Sequence, residues 1–168
     1  MERDRDFSEF VAARWGVLVR SGVMLGCDVE EAHDLAQTTL LKCYKGWRKL
    51  QEAGDRDAYV YRMLLNSHRD NRRRRWWGER PTEVLPEVAA PDFASGIDTV
   101  DAVRRALGEL NKISREVIVL RYYGHLSEQQ TAEILGVAPG TVKSRLSRAL
   151  AQLAVSSHFD DFSEGRTR

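Results

Sequence analysis

Residues 126–150, LSEQQTAEILGVAPGTVKSRLSRAL, constrain the fold of this chain more than any other stretch. Ser127 followed by Gln130 is a capping-box spacing, in which each side chain satisfies a backbone N–H that the first helical turn leaves open. Ala132 and Leu135 then fall on one face, and Gly136 supplies a left-handed stop that a side chain would strain. Pro139 suits the first turn of a second helix, because the N–H it lacks has no partner there in any case. Val142 and Leu146 lie one turn apart and pack back on the first helix. Thr141, Lys143, Ser144, Arg145, Ser147 and Arg148 are left as the outward set. The pattern predicts a helix-turn-helix whose second helix enters the major groove. An ordinary helical hairpin with a solvated basic face is the competing reading.

Charge distribution favours nucleic acid where the total does not. The net charge is only +1, yet Arg69 and the successive Arg72, Arg73, Arg74 and Arg75 form one basic cluster, and Lys143, Arg145 and Arg148 form a second. Acids collect elsewhere, at Asp28, Glu30, Glu31 and Asp34. Segregation of this kind gives local phosphate attraction on a near-neutral chain. A solvated helix end favoured by the dipole would explain some of the arginines, but four in succession exceed that need.

Helical periodicity runs through the rest, and nothing reads as a strand, so the chain is expected to be all-α. A first amphipathic helix begins near Phe7 and Phe10 and loosens at Gly22 and Gly26. Asp28 and Glu31 predict a capping box for a second helix carrying Ala32, Leu35, Ala36, Thr39, Leu40, Cys43 and Trp47 at three- and four-residue steps. Residues 49–55 read as a polar connection. Asp57 is expected to cap a third major helix from residue 58 to 75, apolar at Val60, Met63, Leu64 and Leu65 and then abruptly basic. Tyr59, Tyr61, Trp76 and Trp77 are rings available to unstacked bases.

Residues 78–96 hold three of the four prolines and lose the helical period, which predicts an extended, semi-stiff linker. Beyond it Val100, Val103, Leu107 and Leu110 share a helical face, and Ser114 is expected to cap a helix through Tyr123. The layout is therefore two small helical domains, 1–77 and 97–155, joined by a flexible linker over 78–96, with a polar tail from 156 to 168. Each domain is expected to bury a modest core of its own and to move freely in an unbound monomer.

Other chemistries find little footing. The two cysteines, Cys27 and Cys43, cannot make a disulfide framework, and with His33 they match no zinc spacing. No carboxylate pair, nucleophile–base dyad or phosphate-binding glycine loop is apparent, so neither catalysis nor a cofactor is expected. No apolar run of about 18 residues stands out, which predicts a cytoplasmic protein without membrane attachment.

The whole layout resembles bacterial sigma factors, and more narrowly their extracytoplasmic-function (ECF) group. The matching residues are 34–39 (DLAQTT), 58–60 (AYV) leading to Asn66 and Asp70, 120–123 (LRYY) with Leu126 and Ser127, and 140–149 (GTVKSRLSRA). Residues 78–85 (GERPTEVL) further resemble an actinobacterial, sigma-E-like subgroup. The helix-turn-helix alone is only moderately specific, whereas the joint order over residues 7 to 155 is highly so.

The resemblance implies a dissociable initiation subunit of RNA polymerase. Its first module would bind the clamp helices of the polymerase β′ subunit through Asp34, Gln37, Thr38, Leu41 and Lys45. The same module would open the −10 promoter element with Asn66, Arg69, Asp70, Arg72, Arg73, Arg74 and Arg75, the 48–57 loop forming a base pocket. The second would sit near the β flap and read the −35 element with Thr141, Lys143, Ser144, Arg145, Ser147 and Arg148. An anti-sigma factor is compatible with such a chain, since a helical inhibitor could cover both DNA faces. Against this stands an autonomous operator-binding regulator, which leaves the first basic module without a task. A recombinase needs a catalytic domain for which residues 1–80 are too short, and a pure protein-interaction module leaves the arginines unexplained.

Overall fold

Capping chemistry sets the element boundaries. The computed structural model describes residues 2–78 and 97–156. Helix α1 spans Glu2–Met24, and α2 spans Val29–Lys45. Between them Asp28 accepts the Glu31 N–H at 2.8 Å while Glu31 accepts the Asp28 N–H at 2.9 Å, the box expected from the sequence. Glu30 and Glu31 then sit at the positive end of α2, and Lys42 and Lys45 at its negative end.

Four local expectations in the first half need correction. Residues 49–55 are not a plain connection, because Trp47–Glu52 forms a short helix, α3, after Gly46 breaks α2. Trp47 and Leu50 are both buried, so this apolar pair drives a turn whose charged neighbours disguise it. Helix α4 (Arg56–Trp76) is capped by Asp55, which accepts the Ala58 N–H at 2.9 Å. Asp57 instead reaches Arg14 of α1 at 2.5 Å. Gly22 does not loosen α1; it lets the helix approach α2 so closely that a Cβ there would lie 3.1 Å from the Ala32 Cβ. Tyr61 is no free ring, for it is buried with its hydroxyl 3.0 Å from that of Ser21.

In the second half α5 spans Ile97–Glu109 and α6 spans Lys112–Ile118. Asn111, not Ser114, caps α6: its side chain accepts the Ser114 N–H at 2.9 Å. The chain continues into a π-helical turn over Val119–Tyr123, closed by the Gly124 N–H on the Val119 carbonyl at 3.0 Å. The wider turn places Val119 and Leu120 inward with Val117 and Ile118. Helices α7 (Glu128–Leu135) and α8 (Pro139–Ala154) complete the fold, and no strand occurs among the described residues. The linker from 79 to 96 and the tail from 157 lie outside the described residues.

Two separate cores are not what the structure shows. Leu18, Val19, Leu64 and Leu65 of the first half belong to one continuous apolar cluster with Leu107, Leu110, Leu120 and Leu126 of the second. A small separate cluster, Val117 of α6 with Ala132 and Val142, lies where α6 meets the helix-turn-helix. Polar contacts join the halves as well, between Arg69 and Glu116, Arg115 and the Leu25 carbonyl, and Gln130 and Asp55.

Candidate nucleic-acid interface

The helix-turn-helix is built as its sequence dictates. Ser127 accepts the Gln130 N–H at 3.1 Å and Gln130 returns the bond to the Ser127 N–H at 2.8 Å. Gly136 takes the left-handed conformation, with φ 67° and ψ 38°, and Pro139 opens α8. Val142 and Ala149 face inward, fully buried. Lys143, Ser147 and Arg148 are exposed on the opposite face, with Thr141, Ser144 and Arg145 half-buried beside them. Ser144 spends its hydroxyl hydrogen on the Thr141 carbonyl at 3.1 Å and offers its oxygen to Arg148 at 3.5 Å. Arg148 is thus held along the outer face of the helix rather than folded back on an acid. Such a face can present donors to guanine O6 and N7 or to phosphates.

The second basic surface is the C-terminal half of α4. Asn66 and the run Arg72, Arg73, Arg74 and Arg75 are exposed, whereas Arg69 and Asp70 are half-buried. These residues are not equivalent. Arg75 pairs with Glu31, Asp70 lies between Lys42 at 3.8 Å and Arg73 at 3.6 Å, and Arg69 is engaged by Glu116. Arg72 and Arg74 make no ion pair among the described residues, which leaves them the most available cations. Trp76 and Trp77 are 86% and 75% exposed. A cleft of about 470 Å³ opens beside this helix end, lined by Glu31, Asp34, His68, Arg72, Arg74, Arg75 and Arg115 among others.

Helix α2 presents the third surface. Asp34, Leu41 and Lys45 are exposed, and Gln37 and Thr38 are half-buried. Packing of α2 on α4, with Glu31 and Lys42 reaching across, makes this face continuous with the arginines. The two sets assigned to polymerase and to the −10 element are therefore neighbours on one side of the first half.

One buried polar pair invites a chemical reading. Cys27 Sγ lies 3.6 Å from His68 Nδ1. Burial pushes the thiol up to about 11 and, with Arg72 adding to the effect, holds the imidazole down at about 4. Near neutral pH both groups are uncharged, so the pair is no thiolate nucleophile. His33 packs against Trp15 with ring centroids 5.7 Å apart and the planes tilted by 39°, and no cluster of three metal-ligating side chains occurs among the described residues. Among those residues, too, no helix is long and apolar enough to cross a membrane. Arg115 and Glu116, which link the halves, escaped the sequence reading; a charge beside Val117 and Ile118 is the one hint the sequence offers.

Comparison with known proteins agrees with this geometry. Residues 11–78 match the sigma-70 region 2 family, and residues 101–153 match sigma-70 region 4. The chain is 38% identical over 153 residues to the RNA polymerase sigma-E factor of Streptomyces avermitilis, covering 88% of this chain and 83% of that protein. It is 31% identical over 158 residues to the ECF sigma factor SigL of Mycobacterium tuberculosis, covering 89% and 85%. Among solved structures, the sigma factor RpoE from Bartonella quintana, in complex with the anti-sigma factor NepR, shares 28% identity. That likeness has a TM-score of 0.68 and covers 89% of this chain and 94% of that one. A free-standing operator-binding regulator would not account for the region 2 match. With both sigma-70 regions present in order and relatives matched over most of their length, this chain belongs to the ECF group of RNA polymerase sigma factors.

Proposed function

We propose that this sigma factor divides promoter recognition between its two basic helical surfaces. Residues 97–155 read the −35 element as duplex. Lys143, Ser144, Ser147 and Arg148 face the groove there, and Thr141 and Arg145 sit against phosphates. Residues 1–77 hold core polymerase through Asp34, Gln37, Thr38, Leu41 and Lys45, and handle the opened −10 element through Asn66, Arg69, Asp70 and the four successive arginines. The 78–96 segment connects the two on the polymerase. Bond-making belongs to the polymerase in the cytoplasm, and this chain supplies recognition alone.

The observation that carries this reading is the exposure of Lys143, Ser147 and Arg148 on one face of α8, opposite buried Val142 and Ala149. Arg72 and Arg74, free of ion pairs among the described residues, support the −10 assignment. The likeness to a sigma factor solved with an anti-sigma factor supports a proteinaceous inhibitor as a further partner. Run-off transcription with core polymerase on a genomic promoter library tests the assignment. The double variant Lys143→Ala, Arg148→Ala should lose specific product while still binding core polymerase; undiminished product would remove the −35 role.

A further inference from the structure

Arg69 makes its best hydrogen bonds to the other half of the molecule rather than to solvent. Its Nη2 donates to Glu116 Oε2 at 2.7 Å and its Nε to Oε1 at 3.2 Å. That two-pronged arrangement is the one a guanidinium otherwise offers a phosphate. Glu116 is 1% exposed, flanked by buried Val117 and Ile118, so its carboxylate has left water and depends on this cation. Two further contacts are fitted to the same closure. Arg115 donates to the Leu25 carbonyl at 3.3 Å, over Gly26, where a Cβ would come within 2.6 Å of its Nη1. Gly124 approaches Tyr61 so closely that a Cβ would sit 3.2 Å from the ring.

We propose that Glu116 is an internal surrogate for a DNA phosphate, an autoinhibitory contact that holds the second half of the chain on the first and withholds Arg69 from the −10 strand. The proposal rests on the assignment of Arg69 to the −10 surface made above. Geometry gives it a second footing. Promoter elements centred 10 and 35 base pairs from the start site lie about 85 Å apart along straight duplex, at 3.4 Å per step. A chain of this length packed as one body has a radius of gyration of about 15 Å. The closed form therefore cannot hold both elements at once, and opening must break the Arg69–Glu116 pair. Closure leaves the outer face of α8 uncovered, because Lys143, Ser147 and Arg148 stay exposed. The closed chain is thus free to touch duplex DNA, and it meets the opened strand without Arg69, through exposed Arg72 and Arg74 alone.

The test uses the full chain without polymerase. X-ray scattering gives its radius of gyration, and anisotropy gives its affinity for a labelled 20-nucleotide single-stranded oligothymidylate. Glu116→Gln keeps the shape and removes the charge. It should raise the radius above that of one packed body and tighten single-strand binding roughly tenfold, as the competent fraction grows. Arg69→Gln, at a site 37% exposed and so tolerant of change, should open the chain equally without the gain in affinity. The reversed pair Arg69→Glu, Glu116→Arg should close it again. Should Glu116→Gln lose its helical circular dichroism, Arg69→Gln and the reversed pair still decide whether the contact holds the halves together. Unchanged radius in Glu116→Gln and Arg69→Gln would overturn the proposal. Opening without tighter single-strand binding would also overturn it, by removing Arg69 from the −10 surface; that failure is distinct, since closure itself would then stand.

Discussion

The recognition helix begins without a side-chain cap, and the size of that defect can be worked from its first turn. Ala138 has extended backbone, φ −70° and ψ 147°, the conformation of an N-cap residue, but no side-chain oxygen. A serine there would normally contribute about 1 kcal/mol, within a range of about 0.5–2. This turn has less to gain. Pro139 has no N–H to satisfy, and the Thr141 N–H already reaches the Ala138 carbonyl at 2.9 Å. The Gly140 N–H is left as the donor a cap oxygen would serve, so Ala138→Ser should gain about 0.5–1 kcal/mol. For a chain of this size that raises Tm by about 1–4 °C. Thermal melts followed by circular dichroism, with a urea midpoint at fixed slope, measure it. Ala138→Val supplies no acceptor and should give no rise. An unaltered Tm in Ala138→Ser would mean that the turn is already satisfied, and the reasoning from missing donors would fail.

Three further outcomes follow from the same structure. Gly22→Ala gains up to about 1 kcal/mol of helix propensity but drives a Cβ against Ala32, at about 1–3 kcal/mol for overpacking, so denaturant midpoints should fall. His68 is held neutral, down at about 4 from its usual 6.5, so below pH 6.5 the unfolded chain takes up a proton that the folded chain refuses. Its contribution is complete above pH 6.5 and is lost as pH falls toward 4, by at most about 1.4 kcal/mol per pH unit; a urea midpoint that does not change over that window in the wild type, or changes equally in His68→Gln, would refute this. On duplex −35 DNA, single alanine variants of Lys143 and Arg148 separate two kinds of contact. A phosphate contact lowers the salt slope by about 0.9, and a base contact costs about 1–3 kcal/mol on the preferred sequence only.

Which features were legible in the sequence follows from the range of the interaction that makes them. The Asp28–Glu31 and Ser127–Gln130 boxes, the left-handed Gly136 and the Pro139 start are decided within four residues, and the structure has each of them. The outward set on α8 was equally readable, since helical period and two buried positions determine the face. Misplaced caps belong to the same scale: Asp55 and Asp57, or Asn111 and Ser114, are alternatives that local chemistry alone does not separate. Arg14 across the bundle claims Asp57, and with that Asp55 becomes the cap. The Trp47–Glu52 helix was hidden because its driving force is burial against elements distant in sequence, which no local pattern of Lys49 and Glu52 reveals.

The contacts between the halves lie at the far end of that scale. Arg69 reads as one more basic residue of a DNA-facing run, and only the placement of Glu116, 47 positions later, shows that it has a protein partner. A carboxylate left in an apolar stripe is costly unless it meets a cation, so Glu116 beside Val117 and Ile118 implies a partner without naming it. Arg72 and Arg74, both nearer the end of α4, make no ion pair with an acid among the described residues. With the halves closed, the arginine run is divided by function, Arg69 being released only on opening and Arg72 and Arg74 being available throughout. Alanine variants of Arg72 and Arg74 should then weaken single-strand binding in the closed wild type, whereas Arg69→Ala should weaken it only in a Glu116→Gln background. Equal losses from all three in the wild-type background would show that the run acts as one undivided cationic surface.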